Sequence, residues 1–179
     1  QSMTRRMLFL LEGTWLYNEK AFSEYRKDLL SKYIKETDSN SIPLFLLNDI
    51  IRYYRTITTD FEYKVAEGGK DWGLRNIKLK FSRKLLYFSG VIAVAELYDL
   101  EHEPRLTKAN ELFSKSPLSR IQEICNKPNL MSEYNDFLDK ISSNEDRQKL
   151  EAVTKENRME SELYCELDEL SKCFSENLH

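Results

Sequence analysis

Between Leu74 and Ile92, apolar side chains recur every three or four residues, at Leu74, Ile77, Phe81, Leu85, Phe88 and Ile92. That is the spacing of one buried face of an α-helix. A strand alternates with a period of two, so this segment commits the chain to helices packed on helices. Beyond Tyr87 the pattern turns apolar on every side, which makes the second half of that helix the buried axle of a bundle. With 5 Gly and 4 Pro in 179 residues, little material is left for the tight turns of a β-sandwich. The fold class is therefore read as all-α, a bundle of about six to seven helices with a long C-terminal helix.

The remaining helices follow from caps and spacing. Gly13 suits the C′ position of a short first helix. Asn18 opens a second, with Phe22, Tyr25, Leu29, Leu30 and Tyr33 at helical spacing. Residues 36–41 are turn-like, and Pro43 fits the first turn of a third helix reaching about Tyr63. Gly68, Gly69 and Gly73 bracket the next loop. Shorter helices are expected over 106–115, 117–126 and 129–141, with a break around Pro128. Residues 144–177 contain no Gly or Pro and read as one long helix. Its apolar stripe is interrupted, however: Asn157 and Glu160 separate Leu150 and Val153 from Leu163, Leu167, Leu170 and Phe174. The tail should pack at both ends and be solvated or kinked between. The expected organisation is a bundle over 3–143 and an acidic C-terminal helix over 144–179.

The net charge of −3 and a pI near 5.6 argue against general nucleic-acid binding, but they average over a contrast. Residues 70–84 carry six bases, including Lys70, against Asp71, a balance of +5; residues 145–179 carry ten acids against five bases, a balance of −5. Three cysteines without a CxxC pair, and only His102 and His179, argue against a disulfide framework and a zinc site. The thiols read as reduced and the location as cytoplasmic. No apolar run approaches the roughly 18 residues of a membrane span, and no signal peptide is visible, so no membrane partner is expected. Gln1 and Ser2 precede the expected start at Met3. The chain has no GxGxxG, no Walker-type loop, no HExxH and no GxSxG, and neither histidine follows an arginine at ribonuclease-like spacing.

Two helices mix charge with the densest apolar material. Asn48, Arg52, Arg55 and Thr59 share a helix face with Asp49, Thr56 and Asp60, and Asn76, Lys80, Arg83, Lys84 and Tyr87 share another, with Arg75, Lys78 and Ser82 beside it. Charges in such surroundings either pair internally or face a ligand. If the helices are antiparallel neighbours, the faces form one basic groove suited to phosphate, for which Arg offers a bidentate fork and Lys a point charge. The competing reading is structural pairing on solvated faces. The aromatics Tyr53, Tyr54, Phe61, Tyr63, Trp72, Phe81, Tyr87 and Phe88 read as core rather than as a stacking platform.

Three blocks, RRMLFLLEGTWLYNE at 5–19, LLNDIIRYYRT at 46–56 and WGLRNIKLKFSRKLLYFSG at 72–90, resemble the helical region that follows the catalytic domain in a group of bacterial predicted nucleotidyltransferases of the DNA polymerase β-like superfamily. The resemblance spans about residues 5–95. It implies a separate catalytic domain with a Gly-Ser turn and acidic residues holding two metal ions, while the helical part grips the nucleoside triphosphate or the acceptor. This chain has no Gly-Ser followed by an Asp-x-Asp pair. By the resemblance, Asn48, Asp49, Arg52, Arg55, Arg75, Lys78, Arg83 and Lys84 serve the ligand or the interdomain seam. The expected function is a nucleotide-binding accessory domain without catalytic residues or a cofactor of its own. Mg²⁺ would come with the triphosphate if a catalytic domain is joined. Expected partners are that triphosphate and a catalytic domain or other protein. The alternative is a helical protein–protein interaction module that binds no nucleotide.

Overall fold

A computed structural model describes residues 2–36, 41–67, 69, 71–125 and 128–178. The turn read over 36–41 and the break before Pro128 fall largely outside them, as do Gly68, Lys70 and His179. Among the described residues there are nine helices and no strand. They are α1 (Met3–Leu11), α2 (Glu19–Tyr33), α3 (Leu44–Ala66), α4, α5 (His102–Ser114), α6 (Pro117–Cys125), α7 (Pro128–Ser142), α8 (Asn144–Glu151) and α9 (Glu162–Leu178). Helix α4 is continuous: Trp72–Lys78 is α-helical, Leu79–Arg83 is a π turn and Lys84–Ala95 is α-helical again. The all-α class is as read from the pattern, with more helices than the six to seven expected. The excess comes mainly from the tail.

The chain forms two compact units, divided elsewhere than at the 143/144 boundary read from the sequence. One comprises residues 1–54 and 85–126, the other residues 55–84 and 127–179. Helices α3 and α4 each contribute one half to each unit.

In the first unit, Asn18 adopts a left-handed φ of 56° and its side chain accepts from the Ala21 amide at 3.1 Å, starting α2. Met7, Leu10 and Leu11 of α1 are buried with Ile50 and Tyr53 of α3. Gly90 makes this packing possible, since a Cβ there would lie 2.8 Å from Leu11 Cδ2 and 3.2 Å from Ile50 Cγ2. Tyr54 and Tyr87 stack at 4.7 Å. Arg120 is fully buried on α6, and its guanidinium donates to the Leu112 and Lys115 carbonyls and to Ser89 Oγ. These acceptors are carbonyls at the C-terminal end of α5, of which that of Leu112 also accepts from the Lys115 amide, and a hydroxyl of α4, so one side chain joins three helices.

In the second unit the core is aromatic. Phe81 stacks on Phe137 at 4.4 Å and lies 5.1 Å from Phe174, tying α4 to α7 and α9. The single helix expected over 144–177 is two helices separated by residues 152–161. Val153 is buried, and its carbonyl accepts from the Gly73 amide at 3.0 Å instead of continuing a helical ladder. Thr154 and Asn157 then bond reciprocally through side chain and backbone, and Ser161 caps α9 by accepting from Tyr164 N. Thr, Asn and Ser offer the backbone these local alternatives to a helix, which is why the absence of Gly and Pro was not sufficient. Gly73, expected in a loop, lies buried in the first turn of α4.

Candidate functional site

The eight positions singled out in the sequence divide between the units. Asn48, Asp49 and Arg52 belong to the first; Arg55, Arg75, Lys78, Arg83 and Lys84 belong to the second.

Asp49 is buried and engaged internally. Arg6 Nη2 and Tyr33 OH donate to its Oδ2 at 3.0 and 2.7 Å, and Arg52 Nη1 donates to Oδ1 at 3.4 Å. One carboxylate thus joins α1, α2 and α3. Tyr33 titrates well above the ordinary tyrosine range, first because of burial and then because Asp49 favours the protonated phenol. Asn48 and Arg52 are exposed on the same helix. The sequence did not signal Arg6 and Tyr33 as partners, because each is distant along the chain.

In the second unit, α4 presents two polar faces with different fates. Asn76, Lys80 and Lys84, four residues apart, all turn toward α9: Tyr164 OH donates to Asn76 Oδ1 at 2.8 Å, Lys80 pairs with Asp168, and Lys84 Nζ donates to Ser175 Oγ at 2.5 Å. This face is a helix–helix seam, the structural reading of those residues. Burial, and then Lys80, lower the pKa of Lys84. The π turn widens α4 where Phe81 enters the aromatic core, while Ser82 Oγ lies 3.1 Å from Tyr134 OH.

Arg75 and Lys78 lie on the other side of α4, beside α8. That helix approaches closely because position 73 has no side chain: a Cβ there would stand 2.4 Å from the Leu150 carbonyl oxygen and 2.7 Å from Val153 Cβ. The approach brings Arg147 of α8 into the field of Lys78. Burial, followed by the charges of Arg147 and Arg75, lowers the pKa of the Lys78 ammonium; Glu151 acts in the opposite direction and Arg83 adds to the lowering. Among the described residues, Arg75, Lys78 and Arg147 hold no ion pair, while Arg83 has contacts of its own. Lys78 and Arg75 are half-buried; Arg83 and Arg147 are exposed. Arg75, Lys78 and Arg147, with Glu151 as the acid that acts on Lys78, make a locally positive field. An anion is the group that such a field attracts.

No family model, curated protein or solved structure matches the chain.

Arg55 stands apart from this cluster, on an exposed stretch of α3 with Thr56, Thr59, Asp60 and Tyr63. Asp60 pairs there with Lys64 at 2.7 Å. Arg147 is the site residue that sequence reasoning missed. It sits in a net acidic tail, and only the break after Glu151 turns its short helix back against α4. Among the described residues there is no group of three or more His, Cys, Asp or Glu side chains placed to hold a metal ion, and no helix is long and apolar enough to cross a membrane.

Proposed function

We propose that the chain is a helical binding module that holds the phosphates of a nucleoside triphosphate on Arg75, Lys78, Arg83 and Arg147 of its second unit. The observation that carries the reading is Lys78: a half-buried ammonium on α4 beside α8, on which Arg147, Arg75 and Arg83 act as like charges and Glu151 as the opposing one, a balance that a bound polyanion would shift. The arginines supply planar forks for phosphate oxygens, and Lys78 supplies a compact charge. Mg²⁺ would arrive bound to the triphosphate, since its ligands would be phosphate oxygens and water. A role as the accessory part of a nucleotidyltransferase, with catalysis on a separate domain, is the wider form of this proposal that the sequence resemblance suggests.

The test is a thermal-shift screen of the full chain against ATP, GTP, CTP and UTP with Mg²⁺, at low and raised salt. A ligand that binds only the folded state raises the melting temperature by mass action. A salt-sensitive rise with triphosphate, lost in Lys78→Ala and Arg147→Ala, is expected. No rise with any of the four contradicts the reading. It would favour a protein-interaction module, for which Leu16, Tyr17 and Phe45 of the first unit, 94%, 91% and 78% exposed, supply the apolar contacts.

A further inference from the structure

Helix α3, the start of α4 and the segment that follows α8 line an open cavity of about 470 Å³ within the second unit. Its charged lining is one-sided among the described residues: Glu62, Asp71, Glu151 and Glu156 stand against Lys155. None of the four carboxylates makes an ion pair with a described residue, and hydrogen bonding from its own backbone amide and then from Thr154 lowers the pKa of Glu156. Trp72 supplies an aromatic wall. It is half-buried, unlike the fully buried Phe81, and its ring rests on Tyr164 at 5.4 Å.

Two features join this cavity to the basic cluster. Glu151 belongs to both, lining the cavity while its charge acts on Lys78. Trp72 and Arg75 are three residues apart on α4, about 4.5 Å along the helix axis, and Lys78 follows at the same interval. A ribose separates a base from its phosphates on that scale.

We infer that the Trp72 cavity is the base subsite of the ligand whose phosphates the basic cluster holds, and that it selects bases with an exocyclic amino group over uracil. This rests on the phosphate-site reading. The indole wall offers a stacking surface that accepts any base. The carboxylates supply the discrimination, because an ionised carboxylate only accepts hydrogen bonds. The N4 amino group of cytosine donates to such an acceptor, and the amino groups of adenine and guanine do likewise. Uracil places a carbonyl oxygen where cytosine carries its amine, so acceptor meets acceptor and the hydrogen bond that cytosine makes to the carboxylate is lost.

CTP and UTP form the matched pair for the test, with inorganic tripolyphosphate as the base-free probe. Titrations use the full chain carrying Trp15→Phe, which leaves Trp72 as its single tryptophan. Tripolyphosphate should bind, CTP should bind about tenfold more tightly than UTP, and CTP should quench Trp72 fluorescence. Glu62→Gln and Glu156→Gln, both at exposed positions, should shrink the CTP-to-UTP ratio and leave the tripolyphosphate affinity in place. Equal affinity for CTP and UTP, with tripolyphosphate binding intact, overturns the base subsite while the phosphate site stands. Tighter CTP binding without any change in Trp72 emission overturns the stacking role. Failure of all three probes to bind overturns the phosphate site and the subsite with it.

Discussion

The Gly73 amide donates to the Val153 carbonyl at 3.0 Å, and no side chain fits between the two backbones. This contact ends α8 against the first turn of α4 and so places Arg147 within the field of Lys78. Gly73→Ala forces the segments apart, because its Cβ would meet the Leu150 carbonyl oxygen and Val153. Neither is the movable end of a flexible chain. The expected cost is about 2 kcal/mol or more, in the range of overpacked core substitutions. Urea denaturation reads it as a lower midpoint, and an unchanged midpoint would remove the close approach as a constraint.

Arg120 is a buried cation whose named acceptors are all neutral. Burial lowers its pKa to about 10. Its fork geometry satisfies two carbonyls and a hydroxyl at once, and its guanidinium carbon lies 4.8 Å from the Phe113 ring centroid. Arg120→Ala leaves a void and unpaired acceptors, an expected loss on the order of 3 kcal/mol. Arg120→Lys should recover little of it, because one ammonium cannot span the same acceptors. Stability of Arg120→Lys equal to wild type would show that the fork geometry is immaterial.

Asp49→Ala removes the acceptor shared by Arg6, Tyr33 and Arg52. Arg6 and Arg52 retain access to solvent, so most of the loss falls on the Tyr33 hydroxyl and on the α1–α3 contact. About 2 kcal/mol is expected. Tyr33→Phe should cost less, about 1 kcal/mol, because Arg6 still pairs with the carboxylate. If Tyr33→Phe costs as much as Asp49→Ala, the arginine contacts are without consequence.

Lys78 makes stability and anion affinity depend on pH. Its folded pKa lies below the ordinary 10.5, so the charged form is disfavoured in the folded chain. The penalty is fully present below the lowered pKa and disappears as pH rises to the unfolded value. The free chain should therefore gain stability from Lys78 on alkalinisation through that window. Tripolyphosphate affinity should fall over the same range, since phosphate needs the ammonium. Lys78→Met should reduce both slopes, and a variant that retains them would assign the dependence to other groups.

Much of the helical content was legible because it depends on local signals: the stripe from Leu74 to Ile92, the Asn18 cap and Pro43 ahead of α3. The tail was misread because Val153 is held by a backbone contact to Gly73, some 80 positions earlier, that no local pattern reveals. The polar faces on α3 and α4 were visible, but their division of labour was not. Asp49 is bound by Arg6 and Tyr33, and Lys80 and Lys84 by α9, partners that only folding brings near. Arg75 and Lys78 were correctly seen as neighbours on one helix. Arg147 was hidden because a balance of charge over 35 residues says nothing about which way a single short helix turns.

Whether Arg75, Lys78 and Arg147 together hold phosphate is open to a direct measurement. Calorimetric titration of tripolyphosphate into the full chain, and into Arg75→Ala, Lys78→Ala and Arg147→Glu, tests it directly. Each alanine variant should weaken binding about tenfold, as expected for loss of one charge-assisted contact, and Arg147→Glu should abolish it. Affinity unchanged in all three variants, or no measurable binding to the full chain, would contradict the account.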